Sequence, residues 1–256
     1  MSATPLFSGV GVALVTLFGE DGELAAGATA EHAARLAAAG MQAVLVAGST
    51  GEAATLEPEE RIALLDAVRE AVPPAVPVIA GTGAPSARQA AALTAAACDH
   101  GADAVLVLSP PYADDPRPYY DTVAKAAGAT PVLAYHFPRM SPPGIAVEDL
   151  LDLPVAGCKD SSGDPSRLLR TVPRFAGALW TGSPLLTLLA GVVGAAGALL
   201  ALANLEPEAC VAAWGGDVAA QQLLADLHEA TSPRFPAELK HRLAQRHGTP
   251  ATARLL

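Results

Sequence analysis

The sequence predicts an α/β protein folded as a closed (β/α)8 TIM barrel with a shortened C-terminal helical extension. Three observations carry that prediction. Short apolar runs alternate with helix-length segments eight times at one rhythm, with no break for a second domain. The runs are apolar throughout, as parallel strands buried on both faces must be. The first run is not followed by a Gly-x-Gly-x-x-Gly phosphate loop, which argues against the competing doubly wound open sheet. Gly81-Thr82-Gly83 is only a fragment of such a loop.

Residues 12–18 form the first run, which the turn Gly19-Glu20-Asp21-Gly22 ends. A helix over 27–39 has Glu31, His32 and Arg35 as its polar residues and stops at Gly40. The second strand, 42–47, leads into Gly48-Ser49-Thr50-Gly51-Glu52. The next helix, 57–71, carries Pro58 near its first turn, where a missing N–H costs nothing. A strand over 76–80 and a helix over 86–100 follow, the helix ending at Gly101. The fourth strand, 104–108, runs into Ser109-Pro110-Pro111-Tyr112, and its helix covers 118–127. The fifth strand is 131–137, followed by a short helix over 147–152. The sixth, 155–159, ends in Lys159 and precedes a helix over 165–172. A strand over 178–181, a helix over 184–193 and a strand over 198–203 complete the alternation, and the chain is helical from Pro207 to near its end. Residues 1–205 are thus read as the barrel, and 206–256 as its final helix with the extension.

Composition narrows the function. Of 256 residues, 51% are hydrophobic and 4% aromatic, so the core packs Ala, Leu and Val. The net charge is −10 with no basic run, which argues against a nucleic-acid partner. Cys98, Cys158 and Cys210 are odd in number and far apart, and read as reduced core residues. The start, MSATPLFSGVG, has neither a basic region nor a cleavable apolar stretch, so a cytoplasmic location is expected. Residues 183–205 carry no charge and are long enough to span a bilayer. Glycines 191, 194 and 197 divide them into a helix, a turn and a buried strand, so no membrane partner is expected.

In a barrel, chemistry sits where strands end. Ser49, Thr50, Glu52, Thr82, Ser109, Tyr112, Tyr135, His136, Arg139, Lys159, Thr181, Ser183 and Asn204 fall there. The histidines are scattered, so neither a metal site nor a Ser-His-Asp triad is expected. What remains is one amine, two phenols and several hydroxyls. A lysine taken out of water can attack a ketone as a free amine, a phenol can relay protons, and hydroxyls with loop N–H groups can hold a carboxylate. Together they describe Schiff-base chemistry on a 2-keto acid. Strand parity points Lys159, Tyr135, Leu133 and Phe137 inward, and Cys158 and His136 outward. His136 is then a packing or supporting residue, and Glu52 is read as a cap on the turn over 51–55.

GSTGEAATL at 48–56, VIAGTGA at 78–84, SPPY at 109–112, YHFP at 135–138 and GCKDSSG at 157–163 occur in order, each after its own strand. They resemble the dihydrodipicolinate synthase / N-acetylneuraminate lyase family of class I aldolases, from about Val12 to Asn204 with a weaker trace to Lys240. The resemblance implies that Lys159 forms the Schiff base and that Tyr135 shuttles protons against the imine. It further implies that Ser49 and Tyr112 complete the relay, Tyr112 being donated across a subunit contact, so that a homo-oligomer is expected. Thr50, with Ser49, matches the site for the keto acid's carboxylate. Leu199 matches a position whose backbone carbonyl lies near the lysine. Pyruvate or a related 2-keto acid and an aldehyde are the implied small-molecule partners, with no cofactor.

Some features depart from that pattern. The family's lysine-precursor synthases resemble Tyr-x-x-Pro-x-Arg, whereas here Arg139 directly follows Pro138, one position early. Arg139 is thus equally a substrate-binding and a surface residue. His136 and Phe137 replace the expected types, and Met140-Ser141-Pro142-Pro143 is a stiff loop where a second-substrate pocket is expected. Only about fifty residues follow Asn204, which predicts the loss of the last helix or helices. Condensation of pyruvate with aspartate semialdehyde and cleavage of another keto acid both stay open. So does a binding protein that does not turn its ligand over, against which the joint presence of Lys159, Tyr135, Ser49 and Tyr112 argues.

Overall fold

Residues 4–255 are described by a computed structural model. Eight parallel strands close on themselves in chain order: β1 (Gly9–Ala13), β2 (Val44–Val46), β3 (Val78–Gly81), β4 (Ala104–Leu108), β5 (Val132–His136), β6 (Gly157–Asp160), β7 (Ala178–Thr181) and β8 (Gly197–Leu200), with β8 paired back to β1. The intervening helices are α1 (Ala26–Ala38), α2 (Pro58–Ala71), α3 (Ala87–Asp99), α4 (Arg117–Ala127), α5 (Val147–Asp152), α6 (Pro165–Thr171) and α7 (Thr187–Val192). After β8 come α8 (Pro207–Trp214), α9 (Val218–Thr231) and α10 (Ala237–His247). The expected (β/α)8 barrel is therefore present.

Alternation along each strand separates two cores. Val12, Val44, Val78, Val105, Cys158 and Leu200 face the helices, whereas Leu45, Ile79, Leu106, Leu133, Tyr135 and Leu199 fill the barrel. Trp180 occupies much of that interior. Its ring stacks on Phe7 at 5.1 Å, and its indole N–H donates to the Phe7 carbonyl at 3.3 Å. Gly157 and Gly197 on the flanking strands make room, since a Cβ on either would stand 2.5 or 2.8 Å from the indole.

At the starts of α3, α6 and α9 a side chain accepts from a free N–H group. Ser86 Oγ accepts from Gln89 N at 3.3 Å, Asp164 from Ser166 N at 2.8 Å and Asp217 from Ala220 N at 3.0 Å. Some segments differ from the sequence reading. The first strand lies at Gly9–Ala13; Leu14 N still donates to the Leu45 carbonyl of β2 at 2.9 Å, and the apolar residues after it form a loop held by other loops, α1 and α10. The region after Pro207 is three helices, interrupted at Gly215-Gly216 and at Ser232–Pro236. Among the described residues no helix is long and apolar enough to cross a membrane. Residues 183–205 form a short 3-10 turn, α7, a turn at Gly194, β8 and a second 3-10 turn at Leu202–Asn204, so the eighth strand stops three residues before the expected end at 203.

Candidate active site

Lys159 and Tyr135 lie opposite one another in the β5–β6 register, so the pairing of two strands puts amine and phenol together. Lys159 is 4% exposed, and its Nζ stands 4.6 Å from the centroid of the Tyr135 ring. The Tyr135 hydroxyl is 3.1 Å from Ser49 Oγ, across the barrel mouth from β2. Phe137 stacks against Tyr135 at 5.8 Å between centroids. The arrangement joins a buried primary amine to a phenol, and the phenol to a hydroxyl.

Gly182, at the end of β7, makes room for the lysine. Its N–H donates to the Asp160 carbonyl at 2.6 Å, so its backbone runs beside Lys159. A Cβ there would collide with Ser161 Oγ and stand 2.9 Å from Lys159 Cε. No signal for this stands in the sequence, because the contact joins neighbouring strands.

The residues between these inward groups brace the strands from outside. Asp160 accepts from Arg167 Nε on α6 at 2.8 Å and from Ser162 N at 2.8 Å. His136 Nδ1 accepts from Ile145 N at 2.9 Å, which places its proton on Nε2 and fixes the loop after β5. Burial, and then the positive charge of Arg167, lower the His136 pKa to about 4, so it is neutral at pH 7. Burial pushes the Cys158 thiol up, away from the reactive thiolate.

Thr50 is buried beside Ser49. Two expected site residues, Tyr112 and Arg139, stand apart from the Lys159–Tyr135–Ser49 group. Tyr112 is 83% exposed, has a positive φ of 58° and makes no side-chain hydrogen bond among the described residues; its N–H donates to the Pro142 carbonyl at 2.6 Å. Arg139 is exposed and faces α9, where burial first and its charge second lower the His228 pKa. Leu199 is buried in the inner core and pairs with Gly11 of β1.

A cavity of about 1010 Å³ opens beside the group. It runs from Ser49 and Tyr135, past Leu108, Ser109 and Met140, to Arg61 between α2 and α3. Lys159 is not on its wall. Ser109 Oγ is buried there with no hydrogen-bond partner among the described residues. The sequence reading assigned no role to Arg61, whose guanidinium donates to the Gly81 carbonyl at 3.0 Å and to that of Ala53.

Residues 6–233 match the pattern that defines the Dihydrodipicolinate synthetase family. The chain belongs to this family. It is 36% identical over 221 residues to a 4-hydroxy-tetrahydrodipicolinate synthase from Natronomonas pharaonis, covering 82% of this chain and 74% of that protein. It is 35% identical over 233 residues to a probable mitochondrial 4-hydroxy-2-oxoglutarate aldolase from Emericella nidulans, with the same two coverages. Among solved structures, a prophage protein of the family from E. coli K12, in complex with pyruvate, superposes with a TM-score of 0.87 at 25% identity, over 97% of this chain and 91% of that one. Both the resemblance and the fold expected from it thus hold.

Proposed function

We propose that the protein is a class I, lysine-dependent lyase or aldolase that acts on pyruvate or a related 2-keto acid and joins it to, or releases from it, an aldehyde. The observation that carries this reading is the buried amine of Lys159 against the Tyr135 ring, with the phenol bonded to Ser49. The relatives' names, a synthase and an aldolase, support it.

In this reading the Lys159 amine attacks the ketone carbon, and loss of water from the carbinolamine gives an imine. The imine draws electrons from the adjacent carbon, from which the Tyr135–Ser49 pair takes a proton to give an enamine. The enamine carbon adds to the aldehyde carbon, the new oxyanion takes a proton, and water releases the product from the lysine. Cleavage is the reverse. The imine formed on the lysine is the electron sink, and no step calls on a metal or an organic cofactor. Thr50 and Ser49 hold the keto acid's carboxylate, Leu199 supplies its carbonyl near the amine, and Arg139 binds the second substrate.

Tyr112, exposed on one chain, completes the relay of a second copy, so the working form is a homo-oligomer. Residues 1–205 form the catalytic barrel and residues 206–256 its last helix and extension, in a cytoplasmic enzyme. Incubation with pyruvate plus aspartate semialdehyde, and separately with 4-hydroxy-2-oxoglutarate, tests the reading. Turnover of either that disappears in Lys159→Ala supports it. Turnover of neither by protein that also leaves other 2-keto acids unchanged refutes it and favours the binding protein.

A further inference from the structure

Glu52 belongs to the loop that carries Ser49 and Thr50, yet its carboxylate points away from the site into the protein. Both Glu52 and Lys240 of α10 have side chains 0% exposed, and they form an ion pair. The other Glu52 oxygen accepts from the backbone N–H groups of Arg254, at 2.7 Å, and Leu255, at 2.6 Å. Lys240 also donates to the Thr252 carbonyl at 2.9 Å. Phe18 lies against both cations, with Lys240 Nζ 4.3 Å and Arg254 Cζ 4.2 Å from its ring centroid. The Arg254 guanidinium in turn grips Glu60 through two bonds of 2.6 and 2.8 Å, the Thr55 carbonyl at 2.9 Å and the Gly22 carbonyl at 2.8 Å.

The carboxylate makes no cap bond in the turn over 51–55, so the expected cap is absent and the side chain serves the distant network instead. The backbone of Glu52 is left-handed, with φ 55° and ψ 40°, a conformation that residues with a Cβ adopt only when their surroundings impose it. The same turn sets the chain direction at Ser49: Glu52 N donates to the Ser49 carbonyl at 3.2 Å and Ala53 N to that of Gly48 at 3.1 Å. Thr16 Oγ1 holds the Gly51 carbonyl at 2.8 Å. Every side-chain bond of Glu52 comes from residues about 190 to 200 positions away, so distant chain imposes the loop's shape.

We propose that Lys240 and Arg254 are positioning residues which, acting through Glu52, hold the 48–52 loop so that Ser49 Oγ meets the phenol of Tyr135. The inference rests on the proton relay proposed above. It places α10 and the 252–255 segment in the reaction, although neither lines the site.

Two readouts separate positioning from bulk stability. Borohydride trapping of pyruvate on Lys159, taken to completion, needs the amine. Exchange of the pyruvate methyl hydrogens with solvent deuterium, followed by NMR, needs the relay as well. Glu52→Gln keeps the side-chain length and one acceptor oxygen. Its extent of trapping is expected to stay within about twofold of the unaltered protein while exchange falls by about tenfold or more, at the lower end of what general acid–base groups contribute. Arg254→Lys keeps the backbone donor to Glu52 but loses the two-bond grip on Glu60, and serves if the first variant does not fold. Its exchange is expected to fall about threefold with trapping retained, a smaller share of the same effect.

Exchange within twofold of the unaltered protein in whichever variant folds overturns the proposal. So does a fall of trapping and exchange in step with the melting temperature. If the unaltered protein traps no 2-keto acid, the functional reading itself fails. If it traps and exchanges while the variants match it, only the positioning role fails.

Discussion

Replacing Gly182 by alanine tests whether the barrel makes room for a lysine in one defined place. The added Cβ would stand 2.9 Å from Lys159 Cε and 3.1 Å from Ser161 Cβ, besides colliding with Ser161 Oγ. Carbon atoms rest about 3.5–4.0 Å apart, so Lys159 Cε must retreat by roughly 0.5–1 Å. The φ of Gly182 is not positive, so the backbone accepts alanine and the effect is steric. Overpacking of this kind costs about 1–3 kcal/mol of stability. The larger effect falls on the nucleophile. The Nζ sits 4.6 Å from the Tyr135 ring centroid, and a misplacement of about 1 Å costs on the order of 100-fold in rate. The rate of borohydride-trapped pyruvate adduct formation, measured beside the melting temperature, is the assay. The expected variant is folded and forms adduct about 100-fold more slowly. Adduct formation within twofold of the unaltered rate, at an unchanged melting temperature, would refute the steric account.

Tyr135→Phe removes the phenol that Ser49 meets, and turnover should fall by about 10²–10⁴-fold while some pyruvate adduct still forms on Lys159; turnover within tenfold of the original would remove Tyr135 from the relay. Arg139→Ala should raise the KM for the second substrate by about tenfold, the loss of a charged hydrogen bond, with pyruvate trapping unchanged; an unchanged KM would make Arg139 only a neighbour of His228. Stability should fall with acidification from about pH 6.5 to pH 4, because burial holds both His32 and His136 near a pKa of about 4. The unfolded chain binds those protons first, so each histidine removes roughly 3 kcal/mol by pH 4, and none above pH 6.5. Urea unfolding at pH 8, 6 and 4.5 checks this, and equal stabilities at all three would contradict the buried, neutral histidines.

The barrel was legible because each strand reads as an apolar run closed by glycine, proline or polar residues, eight times over. Strand parity was legible too: Cys158 lies in the outer core and Leu133 in the inner one, on either side of Tyr135 and Lys159. Hydrophobicity did not mark where pairing stops. Leu14 to Phe18 is as apolar as the strand before it, but Phe18 is buried against Lys240 and Arg254. Glu52 looked like a local turn cap because its partners lie 188 to 203 residues away, and no window of sequence contains both. Gly182 and Arg61 escaped for a related reason: one matters for the space it leaves, the other for the carbonyls of Gly81, at the end of β3, and Ala53, which no helix pattern brings to it.

The central claim is that Lys159 carries covalent chemistry on a 2-keto acid. The direct measurement is peptide mass spectrometry after incubation with pyruvate and borohydride. The account predicts one reduced pyruvate adduct, on Lys159, and none in Lys159→Ala. An adduct on another lysine, or no adduct with pyruvate or with any other 2-keto acid, would contradict it.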